Sequence, residues 1–213
     1  MKWLLFPILF ITLSGIRAQT TKDLIIEFSI PPVDKTIELE KLRFYITNIQ
    51  LYSEDSIVFE ELESVHLIDL MESQNSISVA FPETVGFNSI HFNLGVDSLT
   101  NVSGIYSGDL DPTKGMYWAW QSGYINFKLE GKHPLSQARN QSFQFHLGGY
   151  LPGQYSIQQL KFATNNSLKL NVQFDINSFF ETIDFSKENT IMSPGENAVK
   201  LSEKIVTYFK LNE

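Results

Sequence analysis

The chain has 213 residues, no cysteine and a formal charge of −8 from 16 basic and 24 acidic side chains. Without thiols, disulfide frameworks, thiolate metal sites and cysteine nucleophiles are excluded. The acidic balance makes nucleic acid and anionic membrane surfaces poor partners and cations welcome ones.

Lys2 followed by the apolar run "WLLFPILFITLSG" (3–15) has the form of a signal-peptide core. The run is too short to span a bilayer and contains Pro7. Cleavage after Ala18 removes residues 1–18 and leaves 19–213 as a single exported domain, with no membrane span. Losing Lys2 and Arg17 takes the charge from −8 to −10. About 195 residues bury a substantial core without covalent staples, and an exported chain lacking cystines suits a bacterial periplasm.

The body reads with period two. "DLIIEFSI" (23–30), "LRFYITNIQLY" (42–52), "SIVFEELESVHLIDL" (56–70), "SISVAF" (76–81) and "GFNSIHFNLGV" (86–96) come first. "GYINFKLEG" (123–131), "SFQFHLGGY" (142–150), "YSIQQLKFA" (155–163) and "LKLNVQF" (168–174) follow. Turn-forming stretches such as "SEDS", "FPET", "GDLDPTKG" and "LPGQ" separate them. Eight or nine short strands of this kind predict an all-β fold, an antiparallel β-sandwich or jelly-roll-like domain. The end differs: "AVKLSEKIVTYF" (198–209) places Val199, Ile205, Val206 and Phe209 at helical spacing, with Asn197 as cap, and predicts a closing C-terminal helix.

Candidate chemistry is sparse. No HExxH, GxSxG or glycine-rich phosphate loop occurs, so no catalytic residue is assigned and an enzyme ranks last among the function classes. Asp109 and Asp111 in "GDLDPTKG" are hard oxygen donors in what reads as an Asp-Pro turn. Of four histidines, His146 and His91 fall on the polar faces of their strands, His66 shares a face with Ser64 and Ile68, and His133 sits before Pro134 in a loop. A metal site would have to be assembled from separate strands. "GMYWAWQSGYINFKLEG" (115–131) concentrates Tyr117, Trp118, Trp120 and Tyr124, which are either core or the wall of a site.

"KLRFYITNIQLY", "VHLIDL", "FNLGVDS", "VSGIYSGDLDPTKGMYWAWQSGYINFKLEG", "FQFHLGGY" and "IMSPGENAV" follow, in order, the pattern of the MbnP-like proteins. This family comprises periplasmic copper-binding proteins related to the partner protein of methanobactin systems, with many homologues in Bacteroidetes. The resemblance implies a β-sandwich that binds copper without catalysis of its own. By motif it assigns His66 and His146 as ligands, with His91 as an optional third. Trp118 or Trp120 becomes a further donor if oxidised to kynurenine, since an intact indole only donates a hydrogen bond. Two residues before His66, where some relatives carry the modified tryptophan, stands Ser64. The resemblance also implies a dihaem peroxidase partner of the MauG type, whose haem cannot belong to this cysteine-free chain. The competing reading is a carbohydrate- or peptide-binding sandwich using Tyr117, Trp118, Trp120 and Tyr124 as an aromatic platform.

Overall fold

The computed structural model describes residues 20–121 and 123–212. The expected leader, residues 1–18, lies outside them. Among the described residues the chain forms, in order, β1 (Thr21–Ser29), β2 (Glu38–Ser53), β3 (Ser56–Glu60), β4 (Val65–Asp69), β5 (Ser76–Pro82), β6 (Ser89–Leu94) and α1 (Ser98–Ser103). Then come β7 (Tyr117–Trp118), β8 (Gly123–Lys132), β9 (Ser142–Gly148), β10 (Gln158–Ala163), β11 (Lys169–Phe174), α2 (Ile176–Glu181), β12 (Thr190–Ile191), α3 (Glu196–Ile205) and β13 (Phe209–Asn212).

Two sheets result. A four-stranded sheet runs β13-β11-β1-β5, and a nine-stranded one runs β10-β6-β2-β8-β9-β12 with β3 and β4 on β2 and β7 on β8. The expected sandwich with a C-terminal helix is present, although β1–β11 and β9–β12 pair in parallel. Alternation drives the arrangement. Leu24, Ile26 and Phe28 of β1 and Leu42, Phe44 and Ile46 of β2 point inward and are buried in one shared core with Phe127, Leu129, Phe145 and Leu147.

The long strand β2 organises the large sheet. Arg43 pairs with both Asp69 of β4 and Lys128 of β8, and Ile46 with both His66 of β4 and Leu94 of β6. A residue has one partner on each side, so β4 occupies one edge of β2 while β8 and β6 share the other, end to end. They part at Gly95, whose φ is +117° and where a Cβ would lie 2.5 Å from Cγ of Asn126. Only glycine fits that junction. Residues 56–70, expected as one strand, break at 61–64, where Glu63 takes a positive φ and the Ser64 Oγ–H donates to Glu61. The terminal helix begins at Glu196 rather than Ala198, without a side-chain cap from Asn197, and ends at Ile205 so that Phe209 can join β13. No helix among the described residues is long and apolar enough to cross a membrane.

Candidate functional site

His146 pairs with Lys128, Lys128 with Arg43, and Arg43 with Asp69. Directly paired residues share a face, so this row of four lies on the outer side of the large sheet, away from the core between the sheets. His66 sits three places from Asp69 on β4 and pairs with Ile46, an inward residue. An odd separation puts it on the opposite face. Three inter-strand spacings, about 14 Å, also part β4 from β9. The structure does not bring His66 and His146 together.

Each imidazole has a local carboxylate instead. His66 Nε2 lies 2.8 Å from Oε2 of Glu61, which also accepts the Ser64 hydroxyl at 2.6 Å. Their side chains retain 24% and 18% of their exposure, and the nearby Asp109 carboxylate feels the His66 ring. His146 Nε2 lies 2.6 Å from Oε1 of Glu130, with only 7% and 10% exposed. Lys41 and Lys128 flank that glutamate at 3.0 and 3.5 Å. Burial pushes the His146 imidazole below its usual range in spite of Glu130. Burial pushes Glu130 upward, but hydrogen bonds from Lys41 and His146 and the Lys128 charge hold it below the usual range.

The remaining two histidines have other neighbours. His91 stacks on Tyr52 with ring centroids 3.9 Å apart and pairs with Gln50 and Lys161. Along β2 that register lies roughly 20 Å from the Arg43 row that holds His146. His133 stacks on Phe185 at 3.9 Å, and its Nδ1 accepts the Leu135 N–H. Among the described residues no three His, Cys, Asp or Glu side chains converge into a metal-holding group. A site using His66, His146 and His91 jointly therefore does not fit this arrangement.

The aromatic stretch is mostly core. Trp118 is 5% exposed and packs with Tyr45, Leu67, Leu110, Met116 and Tyr124 in a second apolar cluster on the outer face. The glycine pair after His146 permits this: a Cβ on Gly148 would stand 2.6 Å from the Trp118 ring and 2.5 Å from the Tyr124 carbonyl oxygen. Trp118 is thus beside Gly148, one strand repeat from His146 and on the same face. The Tyr124 hydroxyl donates to the Leu110 carbonyl at 3.1 Å. Trp120 alone of the four is well exposed, at 66%, because β7 ends at Trp118 and the chain turns. The four-residue platform is accordingly not displayed.

Sequence reasoning missed the charged clamp over this cluster. Arg43 Nε donates to Asp69 at 2.6 Å and Nη1 to the Lys114 carbonyl, while Lys128 Nζ donates to the Gly115 carbonyl at 2.9 Å. Asp109 accepts from Leu67 N–H at 2.9 Å and Lys114 Nζ at 2.6 Å, and Asp111 caps Thr113. Both aspartates of "GDLDPTKG" serve the turn. In sequence, Arg43 and Lys128 give only the signal of ordinary polar-face residues.

No curated protein is similar enough to the chain to count as a relative. Among solved structures, MbnP from Methylosinus trichosporium superposes with a TM-score of 0.58 over 83% of each chain at 14% identity, a likeness of fold. The MbnP family profile matches residues 16–193. With most of its length matched and the sandwich in place, the chain belongs to the MbnP family.

Proposed function

We propose that this chain is an exported, copper-associated binding protein without catalysis of its own, and that the His66–Glu61 edge is where it meets metal. Family membership supports the copper association, and one observation selects the place: an imidazole nitrogen and a carboxylate oxygen 2.8 Å apart, partly open to solvent and near a further acid, Asp109. Two donors at that separation match adjacent positions around a metal with bonds of about 2 Å. Nitrogen and oxygen donors suit Cu(II), and the remaining positions are open to water or an incoming ligand. His146 is the poorer anchor, because Lys41 and Lys128 crowd its glutamate and oppose a cation.

A tryptophan oxidised to kynurenine by an external dihaem peroxidase of the MauG type would be Trp120, which is exposed, or Trp118, 6.3 Å away centroid to centroid. Either lies on the His146 side of the sheet or beyond it, so the oxidised ring would not complete the His66 pair.

Copper analysis and electron paramagnetic resonance on the mature protein from a periplasm test the reading. Copper should bind near one equivalent, His66→Ala should weaken it about tenfold or more, and His146→Ala should leave it nearly unchanged in protein that still folds by circular dichroism. No copper in the unaltered protein defeats the proposal. Equal loss in both variants would restore a site built from the two histidines. Intact-mass measurement on the same material reads tryptophan oxidation.

A further inference from the structure

An open sheet ends in strands with one unpaired side, and charge, brevity or a bulge commonly keeps such a side from pairing with another chain. On β10 the Thr164 N–H donates to the Asn88 carbonyl, which sets the ladder so that Gln159, Lys161 and Ala163 turn their backbone groups outward, a lysine at the centre. β12 has two residues and β13 four. The pairing of β3 with β2 is broken by a register shift at Leu51 and Tyr52. β5 has none of these guards.

β5 has seven residues and, among the described residues, pairs with β1 and no other strand. The Phe28 N–H donates to the Asn75 carbonyl at 2.8 Å, and the Glu83 N–H to the Thr20 carbonyl at 2.9 Å. Those two bonds fix the phase of the ladder: Ile77, Val79 and Phe81 bond β1, while Ser76, Ser78 and Ala80 turn their N–H and C=O groups to the open side. All three are exposed, small and uncharged. The row stops at Pro82, which has no N–H and whose carbonyl already accepts from Val85.

We propose that two copies of the chain pair β5 with β5, antiparallel about a two-fold axis at Ser78, and so join their four-stranded sheets into one of eight strands. Ser78 then stands opposite its own counterpart, and Ser76 opposite Ala80 of the second copy. Three N–H groups and three carbonyls from each copy are paired, six bonds in all. Sliding the copies by two residues sets Ser76 opposite Pro82, or Ala80 opposite Gln74, whose carbonyl already accepts from Asp69. Only the register at Ser78 uses the whole row. Charge also favours a copy here, although the chain carries −8. On the outer face the acids beside β5 are Asp23 and Glu27 of β1, paired with Ala80 and Ser76. Across the axis they stand three strand spacings from their counterparts, about 14 Å, beyond the screening length of about 8 Å. Each copy spends its one open edge, so the assembly closes at two. A ladder this short, without a broad apolar interface, gives a dissociation constant on the order of 0.1 mM. Neither His66 nor His146 takes part, so the dimer and the copper reading fail independently.

Sedimentation equilibrium of the mature protein with a metal chelator, up to about 1 mM, provides the test. A species of twice the monomer mass, and none larger, is expected. Between about 0.05 and 1 mM the amides of Ser76, Ser78 and Ala80 should slow about threefold in hydrogen exchange by nuclear magnetic resonance, as the monomer fraction falls. Ser78→Lys sets two like charges opposite each other and should weaken the dimer tenfold or more. The added lysine lowers the net negative charge, so general repulsion between copies cannot account for that loss. Residue 78 is exposed, and thermal melting confirms that the variant folds. A chain still monomeric at about 1 mM overturns the proposal and leaves the edge to a strand of another protein. A dimer in which the three amides exchange unchanged, or one that Ser78→Lys does not weaken, overturns it as well.

Discussion

His146 turns its burial into a pH dependence. The folded protein holds this imidazole below the range of about 6.5 that the unfolded chain shows, burial being the largest cause, so the unfolded state binds the proton first as pH falls. Stability is therefore full above about 6.5 and declines as acid drops through the window down to the folded value. Burial lowers His91 and His133 as well, and their contributions add in the same direction. The urea midpoint should be flat above neutrality and fall as the pH drops below about 6.5, with a shallower fall in His146→Asn. An unchanged slope in that variant would remove His146 from the account. At the adjoining Gly148, alanine has no room between the Trp118 ring and the Tyr124 carbonyl. Gly148→Ala should cost about 1–3 kcal/mol in chemical denaturation and redshift tryptophan emission as Trp118 is displaced.

The segment from Gly108 to Trp118 is an element held by side chains more than by its own backbone. Arg43 and Lys128 on neighbouring strands grip the Lys114 and Gly115 carbonyls, and Tyr45 donates its hydroxyl to the Asp109 carbonyl at 3.0 Å. Lys128→Met keeps the aliphatic stem but leaves that carbonyl unpaired and Glu130 short of a cation. It should destabilise by about 2–3 kcal/mol and speed proteolysis near Gly115 before global unfolding, read by mass spectrometry of the first cut. Cleavage elsewhere first would show the segment is held by other means. The strands themselves were legible, since alternation in "SFQFHLGG" and "VHLIDL" places His146 and His66 on their local faces correctly. What alternation does not carry is the register between strands. Whether His66 meets His146 depends on pairings through β2 and β8, and those set the two on opposite faces. The short helices α1 and α2 also escaped, because six residues offer no full helical period to detect; Asp97 and Asp175 capping them were the available signals. Trp118 and Trp120 diverge for a comparable reason, a turn after β7 that the dense aromatic spacing concealed.

At the scale of the molecule, the two sheets are joined by rings. Phe44 of the large sheet meets Phe28 of β1 edge-on at 5.5 Å and Phe209 of β13 at 5.6 Å, and it stacks on Phe127 at 5.8 Å. Phe174 of β11 closes the group, edge-on to Phe127 at 5.6 Å and stacked on Phe209 at 4.9 Å. Edge and face contacts of this kind fix relative orientation as well as burying area, so the group sets how one sheet sits on the other. Phe44 has no exposure, and truncating it opens a cavity between layers that rigid sheets cannot collapse to fill. Phe44→Ala should cost about 3–5 kcal/mol, a drop of roughly 10 °C or more in melting temperature for a domain of this size. Phe44→Leu, which restores most of the volume without the ring, should recover over half of that. If the sheets are one cooperative unit, calorimetry of Phe44→Ala will show a single transition moved to lower temperature. Two separated transitions would mean that the small sheet unfolds by itself, and that the aromatic group packs within layers without binding them together.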